Sequence, residues 1–283
     1  MPFIEVGPHR SMEASPSVLA TTPEERPEAG PTAPFPLTPD PRNVAFRAFP
    51  GDEYRGWQGS RFAPEVVAYH APGDPVSGRY RDLLAALLTA LGDVSGGRAG
   101  LPALAPPGAG ALLFTSARPG AGTTTVLLNL AVTAVRQGRR RVVVVDANLR
   151  RPGVAARLGL PEVPGLREVL GGALPLDHAL RETAQVNLLA LTAGSPAGGE
   201  RTGMRFVAET AHSLLRQLRQ RFDLVLVDAP PWDGRPDVTV PGTACDAVCL
   251  VLAEQEAETP RVDDLLRAIP AQGARLVGCV LTG

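Results

Sequence analysis

The sequence predicts an α/β fold, a doubly wound and mostly parallel sheet with a disordered proline-rich region ahead of it. Three observations predict it. From residue 111 onward, short apolar runs take turns with amphipathic stretches of helical period. One of those runs, "RVVVVDA", is an unbroken β-branched strand of the kind buried on both faces of a parallel sheet. A glycine-rich turn, "ARPGAG", separates the first strand from the first helix of the series. Parallel strands joined by helices require crossovers that leave helices on both faces.

The elements follow in order. Residues 1–72 carry "TTPEERPEAGPTAPFPLTPDP", which has no period of 2 or 3.6 and cannot offset its ordering entropy. They read as a proline-rich disordered tail, with short pieces such as "PFPLTPDP" open to a recognition role. Residues 73–92 include "YRDLLAALLTAL", with Leu83, Leu84, Leu87, Leu88 and Leu91 at helical spacing. This amphipathic helix either packs on the following domain or docks another subunit. Residues 93–110 are a flexible linker and residues 111–283 the α/β domain. Its strands are "ALLFT", "RVVVVDA", "VNLLALTAG", "FDLVLVDAPP", "DAVCLVLA" and "ARLVGCVLTG". Its helices run from the glycine-rich turn to about Gln137, near "GLREVLGG", from about Gly203 to Arg221, and from Arg261 to Ile269.

Bulk properties narrow the function. A chain of 283 residues has room for one ordinary domain with extra segments. A net charge of -1 gives no reason to expect nucleic acid as a partner. The three cysteines, Cys245, Cys249 and Cys279, lie in or beside apolar runs and read as buried thiols of a reducing compartment. No run reaches the roughly 20 apolar residues of a membrane span, and no signal peptide is legible. The expectation is a cytoplasmic protein with no direct membrane span, brought to the inner face of the membrane by a partner if it works there.

The chemistry gathers at the C-terminal ends of the strands, where ligands of such sheets bind. In "SARPGAGTTTVLLNLA", Gly120, Ala121 and Gly122 let backbone N–H groups curl round a phosphate, and the following helix N-terminus adds a favourable dipole. Thr123, Thr124 and Thr125 open that helix, and Thr124 is placed to offer its hydroxyl to Mg²⁺. Asp146 and Asp228 each end an apolar strand, a costly position unless the carboxylate is solvated, paired or metal-bound. A helix or turn cap explains one such aspartate; two beside a phosphate-loop turn point to a metal and nucleotide site.

From about Ala111 to Gly283 the chain resembles the deviant-Walker P-loop ATPases of the MinD/ParA group. Within that group it is similar to the bacterial tyrosine autokinases of exopolysaccharide and capsule synthesis. The residues that carry the resemblance are "TSARPGAGTTTVLLNLA", "DANLRRP", "GLREVLGG" and "DAPP", in that order. "DPVSGRYRDLL" resembles the segment that precedes the kinase domain in that family and mediates ring assembly. The resemblance implies ATP or ADP with Mg²⁺ as cofactors, Gly120 to Thr125 with Arg118 as phosphate ligands, and Thr124, Asp146 and Asp228 as the metal side, the two aspartates being catalytic if the protein is active. It also implies a membrane adaptor or polysaccharide co-polymerase as partner, and homo-oligomers.

Five departures bear on activity. Thr123 stands where the family has its loop lysine, removing a charge-assisted bond of about 1.5–3 kcal/mol. Asn148 replaces the second acidic residue of Asp-x-Asp. Thr282 stands where relatives have an asparagine placed to read the base. Only Arg81 fits the Glu-x-x-Arg-x-x-Arg assembly pattern, which Gly78 and Leu84 break, and the tyrosines Tyr54, Tyr69 and Tyr80 all precede the core, so the C-terminal tyrosine cluster is missing. The expectation is a catalytically impaired regulatory or scaffolding subunit with weak or no ATP binding. Two alternatives stay open: an active kinase or ATPase using Arg118 in place of the lysine, and a MinD/ParA-like positioning ATPase. Arg118 itself reads as a solvated loop cation or as a phosphate ligand, and Arg150 and Arg151 lie near the same edge.

Overall fold

The computed structural model describes residues 3–6, 62–95, 110–138, 140–195 and 208–282. The chain runs β1 (Phe3–Val6), α1 (Val67–His70), α2 (Pro75–Ser95), β2 (Gly110–Ser116), α3 (Thr123–Gly138) and β3 (Val142–Asp146). It continues through α4 (Val154–Leu158), α5 (Leu166–Leu170), α6 (Leu176–Ala179), β4 (Leu180–Glu182), β5 (Leu188–Leu191) and α7 (Ala208–Arg221). β6 (Leu224–Asp228), α8 (Pro236–Ala244), β7 (Ala247–Ala253), α9 (Pro260–Ala271) and β8 (Leu276–Thr282) complete it.

One sheet of eight strands takes the order β1-β8-β7-β2-β6-β3-β5-β4, parallel throughout except for the edge pair β4/β5. Side-chain alternation divides its core in two. Leu112 and Phe114 of β2 and Val142 and Val144 of β3 face one layer, which α1, α2 and α3 cover. Ala111 and Leu113, Val143 and Val145 face the other, covered by α5 to α9. This is the expected doubly wound sandwich. The chain leaves β2 toward β3 on one side and later reaches β7 on the other, so β2 sits at the switch point where a crevice opens.

The region read as a tail contains two ordered pieces. Phe3–Val6 adds an edge strand to β8, with Val6 opposite Thr282. The segment from Phe62 to Ala71 buries Phe62, Val66 and Ala68 against α3, apolar surface that the surrounding prolines concealed in the sequence. "PFPLTPDP", the residues linking α2 to β2 and the expected helix start at Gly203 lie outside the described residues. The leucine-rich helix is α2, and it packs within the chain: Tyr80, Leu83, Leu84, Leu87 and Leu91 join the core formed by α3. The cysteines are free and buried, as their apolar surroundings indicated.

Within the α/β core, the short helices α4 and α6, together with β4 and α8, escape the sequence pattern. β4 has three residues, too few for any period to register. α8 hides behind its composition, "PDVTVPGTA", because β-branched residues and prolines disfavour helix. Pro236 opens that helix, where a missing N–H costs nothing, and Pro241 is accommodated in its interior.

Candidate functional site

β2 delivers the chain to Ser116, and the turn to α3 is made by two glycines that only a residue without Cβ tolerates well, Gly120 at φ +90° and Gly122 at φ +82°. Ser116 Oγ donates to the Arg118 carbonyl at 2.8 Å and closes the start of the loop. From the far side the last strand braces it: Thr282 Oγ1 lies 2.9 Å from the Ala121 carbonyl, and its methyl lies 3.6 Å from where a Cβ on Gly122 would be. Thr282 thus supports the loop. The 16-residue α3 then presents its N-terminal amides to the crevice.

Beneath the loop, Asp146 and Asp228 end neighbouring strands and are Cα partners, both without solvent exposure. Thr124 Oγ1 donates to Asp228 Oδ2 at 2.6 Å. Asp228 Oδ1 is buried with no hydrogen-bond partner among the described residues. An orphaned, fully buried carboxylate oxygen beside a hydroxyl is an oxygen donor set suited to Mg²⁺. Asp146 is engaged differently. Its Oδ2 accepts from the amides of Gly153 and Val154 at 2.9 and 3.0 Å, and its Oδ1 from Asn148 at 3.2 Å. It therefore holds the chain entering α4, the structural role that a single strand-end aspartate was expected to allow, and it does so at the floor of the site.

Burial pushes both carboxyls above their ordinary range. For Asp228 the negative Asp146 adds to the rise, while the Thr124 hydroxyl and the nearby Arg157 oppose it. Amides of Val154, Gly153 and Asn148 oppose the rise of Asp146. Such a pair favours a shared proton or a bound cation.

A cleft of about 790 Å³ opens above these residues. Arg118, Gly120, Gly122, Thr123, Thr124 and Thr125 line it, and Ala121, Asp146 and Asp228 lie buried below. Thr123 brings a neutral side chain to the lysine position. The chain contains no lysine anywhere: all 28 basic side chains are arginine. Five arginines line the cleft, Arg118, Arg150, Arg151, Arg157 and Arg261. Arg118 is 63% exposed with Nε 3.3 Å from Glu256. Arg150 grips both Asp233 and Asp237. Arg261 Nε donates to the Ala117 carbonyl at 3.0 Å, holding the back of the loop. Arg157 and Arg261 were missed by sequence reasoning, since neither belongs to a motif; the complete replacement of lysine by arginine was the available signal.

No family model matches the chain. It is 28% identical over 174 residues to the tyrosine-protein kinase YwqD of Bacillus subtilis, covering 61% of this chain and 71% of that protein. To the tyrosine-protein kinase CpsD of Streptococcus pneumoniae it is 28% identical over 171 residues, 59% and 73% of the two chains. To the tyrosine-protein kinase Wzc of Salmonella typhimurium it is 26% identical, over 60% of this chain and 23% of that longer protein. Among solved structures, the BceF tyrosine kinase domain superposes with a TM-score of 0.63 at 26% identity, over 77% of this chain and 81% of that one. MinD of Pyrococcus horikoshii, complexed with Mg-ADP, superposes at 0.51 and 23% identity over 60% and 69%, a likeness of fold. In sequence the chain is similar to bacterial tyrosine-protein kinases, and its fold is the mostly parallel α/β fold shared by their kinase domains and by MinD-like ATPases.

Proposed function

We propose that the protein is a regulatory or scaffolding subunit of polysaccharide synthesis that binds a Mg²⁺-nucleotide weakly and transfers phosphate poorly. One observation carries this reading: the Thr124–Asp228–Asp146 side of the site is assembled, while Thr123 puts no charge at the head of α3. The loop lysine acts most strongly on the charge that develops on the transferring phosphoryl group, so its replacement impairs transfer more than binding. Thr124 and Asp228 would hold Mg²⁺, the loop amides would hold the phosphates, and the cation would offset phosphate charge in the buried site. A membrane adaptor or polysaccharide co-polymerase is the proposed partner; the resemblance to Wzc supports it, as does the lack of a membrane-crossing helix among the described residues.

The test is a titration with labelled ATP and Mg²⁺ of the wild-type chain, Thr123→Lys and Gly122→Asp. Weak binding with little turnover in the wild type, and turnover raised at least tenfold by Thr123→Lys, are expected. Wild-type binding no better than Gly122→Asp would remove the nucleotide from the proposal. Brisk wild-type turnover unaffected by Thr123→Lys would instead favour the second reading, a live kinase or ATPase, which the five cleft arginines support.

A further inference from the structure

We infer that Arg157, from α4, supplies the phosphate-directed charge that the loop lysine would otherwise provide. The inference rests on the nucleotide reading above and names the residue that makes such binding feasible.

The other cleft arginines are committed elsewhere or stand free of the metal side. Arg150 is neutralised by two carboxylates, Arg118 leans outward to Glu256, and Arg261 braces the loop backbone. Arg151 is exposed at the rim. Arg157 reaches the metal side. A methyl built on Gly153 would sit 2.6 Å from Arg157 Nη1 and 3.5 Å from Thr124 Oγ1, so the guanidinium and the hydroxyl flank the same glycine. The missing side chain at 153 is what lets the arginine lie there.

The guanidinium is held in place from behind. Nε lies 3.2 Å from Glu65 Oε1, and Nη1 donates to the Gly153 carbonyl at 3.1 Å. The Arg157 carbonyl in turn accepts from the Ala63 amide at 2.7 Å. Nη2 has no hydrogen-bond partner among the described residues, and the side chain lines the cleft. With Nη1 anchored on the Gly153 carbonyl and Nε paired to Glu65 by charge without a hydrogen bond, Nη2 is left to donate to a phosphate oxygen. A lysine at position 123 would approach the phosphates from the first turn of α3, whereas Arg157 approaches across the cleft, beside the hydroxyl proposed to hold Mg²⁺.

The experiment titrates a fluorescent non-hydrolysable ATP analogue with Mg²⁺ into the full chain and its variants. R157A should weaken binding about tenfold to hundredfold, more than R118A does, as loss of a charge-assisted hydrogen bond predicts. R157K, which keeps the charge, should fall between R157A and wild type and guards against a merely unfolded alanine variant. T123K placed in R157A should recover most of the loss. Binding by R157A within twofold of wild type, with R118A much weaker, would overturn the assignment while leaving nucleotide binding intact. If wild type and T123K both bind no better than G122D, the nucleotide reading fails and the role of Arg157 falls with it.

Discussion

Asp146 and Asp228 stand directly opposite one another at the ends of adjacent parallel strands, each sealed from solvent. Two like charges in that position repel, and each loses its hydration. The raised proton affinities that result tie the stability of the empty protein to pH. A carboxyl whose folded pKa exceeds its unfolded value stabilises the fold below the unfolded value, near 4, and loses that contribution as pH rises through the folded one. Urea unfolding of the ligand-free protein should therefore show stability falling from mildly acid to mildly alkaline pH. Asp228→Asn should flatten the slope, and a slope unchanged in that variant would show that other groups set it.

Magnesium should reverse the trend. A cation prefers the ionised pair, so Mg²⁺ should raise the melting temperature more at pH 8 than at pH 6. Each kcal/mol of binding corresponds to about 2–4 °C for a domain of this size. In Asp228→Asn the Mg²⁺ effect should vanish at both values. An equal rise in wild type and variant, followed by differential scanning fluorimetry, would place the cation elsewhere.

Asn129, fully buried on α3, ties the upstream segment to the phosphate-loop helix. Its Nδ2 donates to the carbonyls of Glu65 and Thr125, both at 2.9 Å, and its Oδ1 accepts from the Ala68 amide at 2.8 Å. Asn129→Ala strands a buried N–H and a buried carbonyl, and should cost about 2–4 kcal/mol in chemical denaturation. Hydrogen exchange across residues 62–71 should accelerate in the variant before global unfolding. Exchange confined to its wild-type rate would mean that apolar packing alone holds the segment.

Gly165 is required by space. A Cβ there would lie 2.3 Å from the Thr192 carbonyl oxygen and 2.4 Å from the Gly194 nitrogen, backbone that cannot step aside. Gly165→Ala should cost about 3 kcal/mol or more. Gly73→Ala, with nothing within 4 Å of the added methyl, should stay within about 0.5 kcal/mol. Thermal melts of the two variants that coincide would refute the argument.

What the sequence revealed was local. Gly120, Gly122, Asp146 and Asp228 are marked by the strand-to-helix junctions and strand ends on which they fall. Arg157 is not, because its place depends on how α4 folds back over Thr124 and on a glutamate 92 positions upstream. The same holds for Asn129, read only as part of a motif: its contacts to Glu65 and Ala68 span more than 60 residues, beyond the reach of any periodicity. Thr282 illustrates a different gap. A position can be aligned with a base-reading residue, yet only the sheet's register shows that its hydroxyl turns to the Ala121 carbonyl.

The clasp of Asn129 on Glu65 and Ala68 has a mechanical consequence. The chain arriving at Phe62 is bolted to α3 a turn beyond the phosphate loop, and to α4 through Ala63 and Arg157. Tension or restraint applied to the chain between Val6 and Phe62 is thus delivered to both walls of the cleft. A tether fastened at that end would act as a lever on the site.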